Sequence, residues 1–326
     1  MKSFIKHFVL ILCTTLLTFS SYAQPELTAW NLNTTNHQAT FDSLVAVTTI
    51  ITMNELSEVT QICHDSDYVY VVSDGLAGYL MGPWSNPNSP QAQNFTFRIP
   101  RNPVEEQGMK FRQPNGGIGL AINGVKFYGY TDNKSYDNAT NTNTETQNGG
   151  DNVWHSDAWI SEGNTMDATG RGHCDGQGIY HYHATPIALY SMTNNGHSPI
   201  IGFMPDGFPI YGPFGYNNPM DSLSPLTRIT SSYVLRNITV RDSLPKPNGK
   251  LTNPNDFGPA VTTNGSFDIG VYVEDWAYVP NQGHLDQFNG RFCYTPEYPN
   301  GTYAYFVTTE ANGDPHFPYI MGPAYY

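Results

Sequence analysis

Charge of one sign is scarce in this chain. Lysine and arginine together number 15 against 28 acidic residues, a formal net charge of −13, and only 13% of the 326 residues are charged. Lys2 and Lys6 lie in the leader described below, so the chain that follows carries 13 basic residues and is more acidic still. Such a balance argues against a polyanion partner, whether nucleic acid or an anionic membrane surface, and is compatible with binding cations. Much of the acid excess is expected to serve solubility alone. Cysteine is equally sparse, with four in all. Cys63, Cys174 and Cys293 follow the leader, so at most one disulfide can form, by any of three pairings, and one thiol is left over. No segment beyond the leader is long and apolar enough to span a bilayer, which needs about 20 residues. Several catalytic signatures are also missing: H-E-x-x-H, the G-x-S-x-G elbow, a Walker loop and C-x-x-C. The run Gly116-Gly117-Ile118-Gly119 lacks the strand-turn-helix setting of a dinucleotide site.

What is present begins with MKSFIKHFVLILCTTLLTFSSYAQ. Lys2 and Lys6 form a positive start, residues 8–19 are mostly apolar, and Ser21-Tyr22-Ala23 ends in small residues. This pattern predicts a secretory signal peptide over residues 1–23, cut after Ala23, and hence a secreted or periplasmic protein with no membrane insertion. Cys13 does not fit a lipoprotein anchor, because Leu12 precedes it and the apolar run continues past it.

The remainder is rich in turn formers and aromatics: 30 glycines, 24 prolines, 22 tyrosines and 17 phenylalanines. Short β-branched and aromatic runs alternate with turn residues, and long stretches of period 3.6 are absent. The expectation is an all-β fold: a single β-rich domain over residues 24–326, sandwich or jelly-roll-like, with long irregular loops. Candidate strands are 46–53, 67–73, 94–100, 117–130, 232–241 and 301–309, with Asn123-Gly124 as a two-residue hairpin turn inside 117–130. The polar stretch 131–152 reads as a mobile loop or a hard-cation site, though it lacks EF-hand spacing. YLMGPW at 79–84 echoes YIMGPA at 319–324, by coincidence or as two similar strand ends that close the N-terminal part onto the C-terminus.

Histidines cluster. Five of the ten, His155, His173, His181, His183 and His197, fall between residues 155 and 197. His181 and His183 lie in GIYHYHATP. In a strand, residues two apart share a face about 6.8 Å apart, so both imidazoles can converge on one ion while Tyr180 and Tyr182 face packing. Neutral imidazole suits zinc, copper, iron or nickel. The bland alternative is a pair of half-exposed histidines on a solvated strand.

His173 precedes the turn-like DGQG. A four-residue loop at 175–178 puts it opposite Tyr180, facing away from His181. A loop of three or five residues puts it opposite Ile179, on the face of His181 and His183. Cys174, its neighbour, reads as structural or disulfide-bonded, with a copper–thiolate role as an alternative. In NVWHSDAWI, strand alternation places His155 and Asp157 on one face, as two ligands, as a ligand with its support, or as a surface pair. Asp206-Gly207 reads as a turn between apolar strands. Asp206 is a candidate to orient a histidine or act as a base, or simply an Asx-turn residue.

Four stretches together resemble the YHYH domain family of secreted and periplasmic proteins: VWHSDAWISEGNTMDATGRGHCDGQGIYHYHATP, HSPIIGFMPDGFPIYGPFGY, YVEDWAYVPNQGHLDQFNGRFCYTPEYPNGTYAYFVT and FPYIMGPAYY. The resemblance runs from about residue 65 to the C-terminus. The matching residues are His155, Asp167, Gly172, His173, Tyr180, His181, Tyr182, His183, His197, Asp206 and Gly207. The family carries a cysteine directly after the Asp-Ala that corresponds to Asp167-Ala168. Here Thr169 stands there, so no role of that cysteine transfers. The resemblance implies an extracytoplasmic location and no particular activity.

The favoured reading is therefore an extracytoplasmic metalloprotein. His155, His173, His181 and His183 are its candidate ligands for one transition metal, zinc or copper, with Asp157, Asp167 or Asp206 in support. Metal-assisted hydrolysis or redox chemistry is the activity it would carry, with Asp206 and Asp157 as the candidate catalytic residues. A second reading is a non-catalytic binding module for a glycan, peptide or other small molecule, with Trp154, Trp159 and Trp276 as stacking surfaces and the histidines locking a hairpin.

Overall fold

A computed structural model describes residues 24–43, 49–113, 116–146 and 150–326. The expected signal peptide and the start of the expected strand 46–53 lie outside these residues. The chain is all-β, as expected, and among the described residues the helical turns between strands are short.

The centre is an eight-stranded mixed sheet. In spatial order its strands are Gly172–Cys174, Tyr180–Tyr182, Lys126–Tyr128, Gly117–Ala121, Ile200–Phe203, Pro209–Tyr211, Thr302–Phe306 and Gly290–Cys293. Two neighbouring pairs run parallel, Tyr180–Tyr182 beside Lys126–Tyr128 and Pro209–Tyr211 beside Thr302–Phe306, and the rest are antiparallel. Side chains alternate along each strand, so both faces send residues into a core. Tyr303 and Tyr305 join one core cluster, while Ala304 and Phe306 join another. The second cluster includes Val59, Val69, Val71 and Ile99 of a three-stranded sheet built from Val59–His64, Tyr68–Ser73 and Phe95–Pro100. That sheet therefore packs on one face of the large one, the sandwich-like element of the fold. The opposite face is covered by irregular segments, among them both halves of the internal echo: Met81 and Met321 are fully buried in the same cluster.

Several strands sit where the periodicity places them, at 68–73, 95–100 and 302–306. The 117–130 hairpin also forms, but its turn is not a two-residue one. Gly124 N–H donates to the Ala121 carbonyl and only Gly124 has a positive φ (78°), a wider turn closed by a left-handed glycine. The stretch 131–152 is a correction. It contains a paired hairpin, Thr131–Asp137 with Thr142–Glu145, and His155–Asp157 adds a third strand. Its turn is closed locally, with the Asp137 carboxylate accepting from Ala139 N–H and Thr140 O–H. Tyr136 anchors it on Trp154 and Tyr272. Low apolar content did not prevent pairing because one tyrosine and the local turn bonds hold the register. The expected strand 232–241 shrinks to Tyr233–Leu235, because the chain beyond carries Arg241 into a buried ion pair.

At Gly202 the central strands pass close together. A Cβ there would stand 2.5 Å from the Leu120 carbonyl oxygen and 2.6 Å from the Phe127 ring. Gly202→Ala is expected to lower unfolding free energy by about 1–3 kcal/mol, read from denaturant midpoints. An unchanged midpoint would show that the sheet can spread there.

Candidate metal centre

The centre forms where the first two strands of the large sheet meet its third. His173 pairs directly with His181, flanked by Gly172 opposite Tyr182 and Cys174 opposite Tyr180. Five residues, 175–179, separate the paired ends, so the odd loop holds. The partner of His173, however, is His181 itself rather than Ile179. Directly opposed residues share a face, so His173 joins His181 and His183. The Asp175 side chain shapes the loop by accepting from Gln177 and Ile179 N–H groups. Gly172 is required here: a Cβ would meet the Tyr180 hydroxyl at 2.5 Å and the His181 carbonyl at 3.0 Å.

One ring nitrogen from each of His173, His181 and His183 lies within 4.8 Å of the others, and all three residues are buried. Their second nitrogens fix the tautomers. His181 Nδ1 is 2.8 Å from the Ile179 carbonyl oxygen and His183 Nδ1 is 2.7 Å from that of Gly129. A carbonyl only accepts, so both Nδ1 atoms carry the proton. Thr165 Oγ1 spends its hydrogen on the Glu162 carbonyl and therefore accepts from His173 Nδ1 at 3.0 Å. In the neutral rings all three Nε2 atoms are then bare. Those of His181 and His183 face each other at 3.0 Å. Two lone pairs at that distance repel unless a cation stands between or beside them.

A carboxylate completes the group. Glu162 Oε2 lies 3.4 Å from His183 Nε2 and 3.5 Å from His173 Nε2. For comparison, two donors each about 2.0–2.1 Å from one tetrahedral ion sit about 3.3–3.4 Å apart. The imidazoles are held neutral. Burial and the neighbouring His183 push His173 down to about 3. Burial, with His183 and His173 adding to it, drives His181 well below its usual range, and burial lowers His183. Burial and the nearby Asp132 push Glu162 up to about 7. The histidine–glutamate approaches are thus not ion pairs. They set neutral nitrogen donors beside one carboxyl group, whose ionised form completes the donor set of a borderline transition metal. Tyr128 stacks on His181, centroids 3.9 Å apart, and donates its hydroxyl to Asp175. The Glu162 side chain retains 24% exposure, against 5% for that of His173 and 7% for that of His183, so the cluster opens past Glu162.

The other side of the Tyr180–Tyr182 strand is a hydrogen-bonded tyrosine cluster. Tyr180 donates its hydroxyl to Asp167, Tyr79 bonds to Tyr180 at 3.0 Å and to Tyr182 at 2.7 Å, and Asn123 donates to Tyr182. The interleaved motif thus has the two faces that period two requires. Asp167 holds Tyr180 and the Gly170 N–H, and no histidine.

The remaining expected residues stand elsewhere. His155 is not with the other three. A register shift in its short strand breaks the alternation expected for NVWHSDAWI and turns His155 to Glu274 and Asp157 into the core. His155 Nδ1 is 2.6 Å from Glu274 Oε1 and its Nε2 2.8 Å from Asn152 Oδ1. Both nitrogens face oxygen acceptors, an arrangement that favours the imidazolium form. Burial opposes that charge, but the Glu274 hydrogen bond and charge outweigh it and the His155 pKa is raised. A raised folded pKa stabilises fully below the unfolded value of about 6.5, and the gain is lost as pH rises through the folded value. His155→Ala is expected to cost about 1–3 kcal/mol near pH 6, with the difference shrinking on the alkaline side. Paired pH series of melting midpoints for variant and wild type measure it.

Asp157 accepts Tyr319 O–H on both oxygens at 2.7 Å and caps the helix Ala158–Glu162 through Ile160 N–H. It thereby sets the short helix whose last residue is Glu162. Asp206 accepts from Phe208 N–H and Tyr305 O–H, the Asx-turn alternative, and orients no histidine. His197 packs among Tyr211, Tyr216 and Phe306. The cysteines among the described residues, Cys63, Cys174 and Cys293, are free, and Cys174 points into the core opposite Tyr180, away from the imidazoles. Trp154 is 1% exposed and offers no open stacking face, while Trp276 is partly buried with one face flat on Phe317.

Sequence reading missed Glu162, Thr165 and the Gly129 carbonyl. For Glu162 a signal existed: Asp157 is a preferred N-cap, and a capped turn through AWISE carries Glu162 to the helix end. For the other two there was none, since both act through contacts set by tertiary packing.

No curated protein and no solved structure matches the chain. A family model, described as YHYH protein, matches residues 96–317. That is more than half of the sequence and spans the whole centre, so the chain belongs to the YHYH protein family.

Proposed function

We propose that the protein is a secreted or periplasmic metal-binding protein in which residues 24–326 act as one unit. In this reading Nε2 of His173, His181 and His183 holds one transition-metal ion, zinc or copper, and Glu162 supplies the fourth group. A single observation carries it. All three Nδ1 protons are committed to oxygen acceptors, which leaves three bare nitrogens and a carboxylate around one buried space. Hydrogen bonds that fix the far nitrogen are how proteins hold a metal-ligating imidazole in place. A bound zinc ion supplies Lewis acidity and a bound copper ion one-electron chemistry. The chain's own contribution is to keep the imidazoles neutral, to shield them under Tyr128 and to leave Glu162 as the edge facing solvent.

Elemental analysis of protein purified without a histidine tag tests this. About one equivalent of zinc or copper, or its uptake on titration, is expected. Less than about a tenth of an equivalent with no uptake would leave the histidines as a purely structural lock.

A further inference from the structure

A cavity of about 540 Å³ lies apart from the histidines, between the segment around residues 100–112 and the C-terminal residues. Its size is that of a small-ligand pocket. Three prolines, Phe111 and Tyr325 give it largely apolar walls, and Asn102, Glu106, Arg112 and Asp206 bring polar groups to the same space. We propose that this cavity binds a neutral saccharide, a monosaccharide or disaccharide unit.

Charge narrows the ligand first. The lining side chains bring two carboxyl groups and one guanidinium, so a cation meets Arg112 and an anion meets Glu106 and Asp206. A net-neutral ligand conflicts with neither. Hydrogen bonding narrows it further. The carboxylates only accept, the guanidinium only donates, and the Asn102 amide does both. A ring of hydroxyls meets all of them, because each hydroxyl donates and accepts. The apolar walls call for a ligand with a C–H face as well, which a sugar ring also presents. Phe111, 69% exposed, is the available ring at the rim. Asp206 is already held by Tyr305 O–H at 2.6 Å and Phe208 N–H at 3.1 Å, which fixes its carboxylate as an oriented acceptor. The site uses none of the tryptophans that the sequence offers for stacking.

The test is calorimetric titration of the full secreted chain with glucose, galactose, mannose, xylose and the β-linked disaccharides of glucose and of xylose. Benzoate and benzylamine serve as charged aromatic controls. At least one saccharide is expected to bind, with affinity reduced about tenfold in Phe111→Ala. Phe111 is exposed, so that variant should keep the wild-type melting point. Asp206→Asn, which retains an acceptor for Tyr305, should weaken the same saccharide and leave zinc or copper uptake unchanged. Saccharide binding should also survive chelator treatment, which separates this site from the metal centre. The proposal is overturned if no saccharide binds the wild type, if binding is indifferent to both variants, or if only benzoate or benzylamine binds.

Discussion

The double variant His181→Ala/His183→Ala is expected to take up no zinc or copper at concentrations that saturate the wild type. Removing an outer hydrogen-bond partner of a metal ligand typically costs about 10–100-fold in affinity, so loss of two direct donors should exceed about 100-fold. Glu162→Gln and Thr165→Ala should fall in the smaller range, roughly 10–100-fold, because the first keeps an oxygen donor and the second removes only the acceptor of His173 Nδ1–H. Competition titration against a chromogenic chelator measures all of these on one scale. The same series has a stability readout. Metal at about a hundred times its dissociation constant adds about 2.7 kcal/mol to the native state. In a chain of this length that raises the melting point by roughly 5 °C or more. The wild type should show this shift and the double variant should not. A double variant that still binds metal at wild-type affinity would place the site elsewhere.

The largest effect on stability is expected at Asp275. The Arg241 guanidinium donates to both Asp275 oxygens at 2.8 and 2.7 Å, and neither side chain has measurable exposure. The guanidinium also donates to the backbone carbonyls of Pro259, Phe267 and Asp268. It lies over Tyr272, beside the cluster of Tyr136, Trp154 and Tyr272 that supports the strand leading to the metal centre. Asp275→Ala strands a buried cation, a loss of about 3–5 kcal/mol. Denaturant unfolding checks it. Arg241→Met with Asp275→Leu should recover much of that loss, since an apolar pair leaves no uncompensated charge. A single-variant cost below about 1 kcal/mol would mean that water reaches the pair.

The sequence carried the two-faced character of YHYH, because period two alone sends Tyr180 and Tyr182 one way and His181 and His183 the other. It also reduced the role of His173 to the parity of one loop. Which parity occurs depends on how Asp175 folds the turn, a matter of side-chain to backbone bonds that composition does not rank. His155 illustrates the opposite case. Its strand alternation was sound locally, but a register shift against Thr131–Asp137 re-aimed it, and such shifts leave no mark in a single sequence. Glu162 was legible only through the N-cap signal of Asp157, because a five-residue helix is too short for helical periodicity to show. The polar stretch 131–152 warns that low hydrophobicity marks neither disorder nor exposure, since Asp132, Ser135, Tyr136 and Asp137 of its first strand are buried.

Anomalous diffraction from crystals grown with zinc or copper tests the central claim most directly. One strong peak is expected about 2.0–2.1 Å from Nε2 of His173, His181 and His183, with a Glu162 oxygen completing the shell. A crystal in which those three Nε2 atoms surround no peak, or in which the metal sits on Nδ1 atoms or at His155 and Glu274, would contradict it.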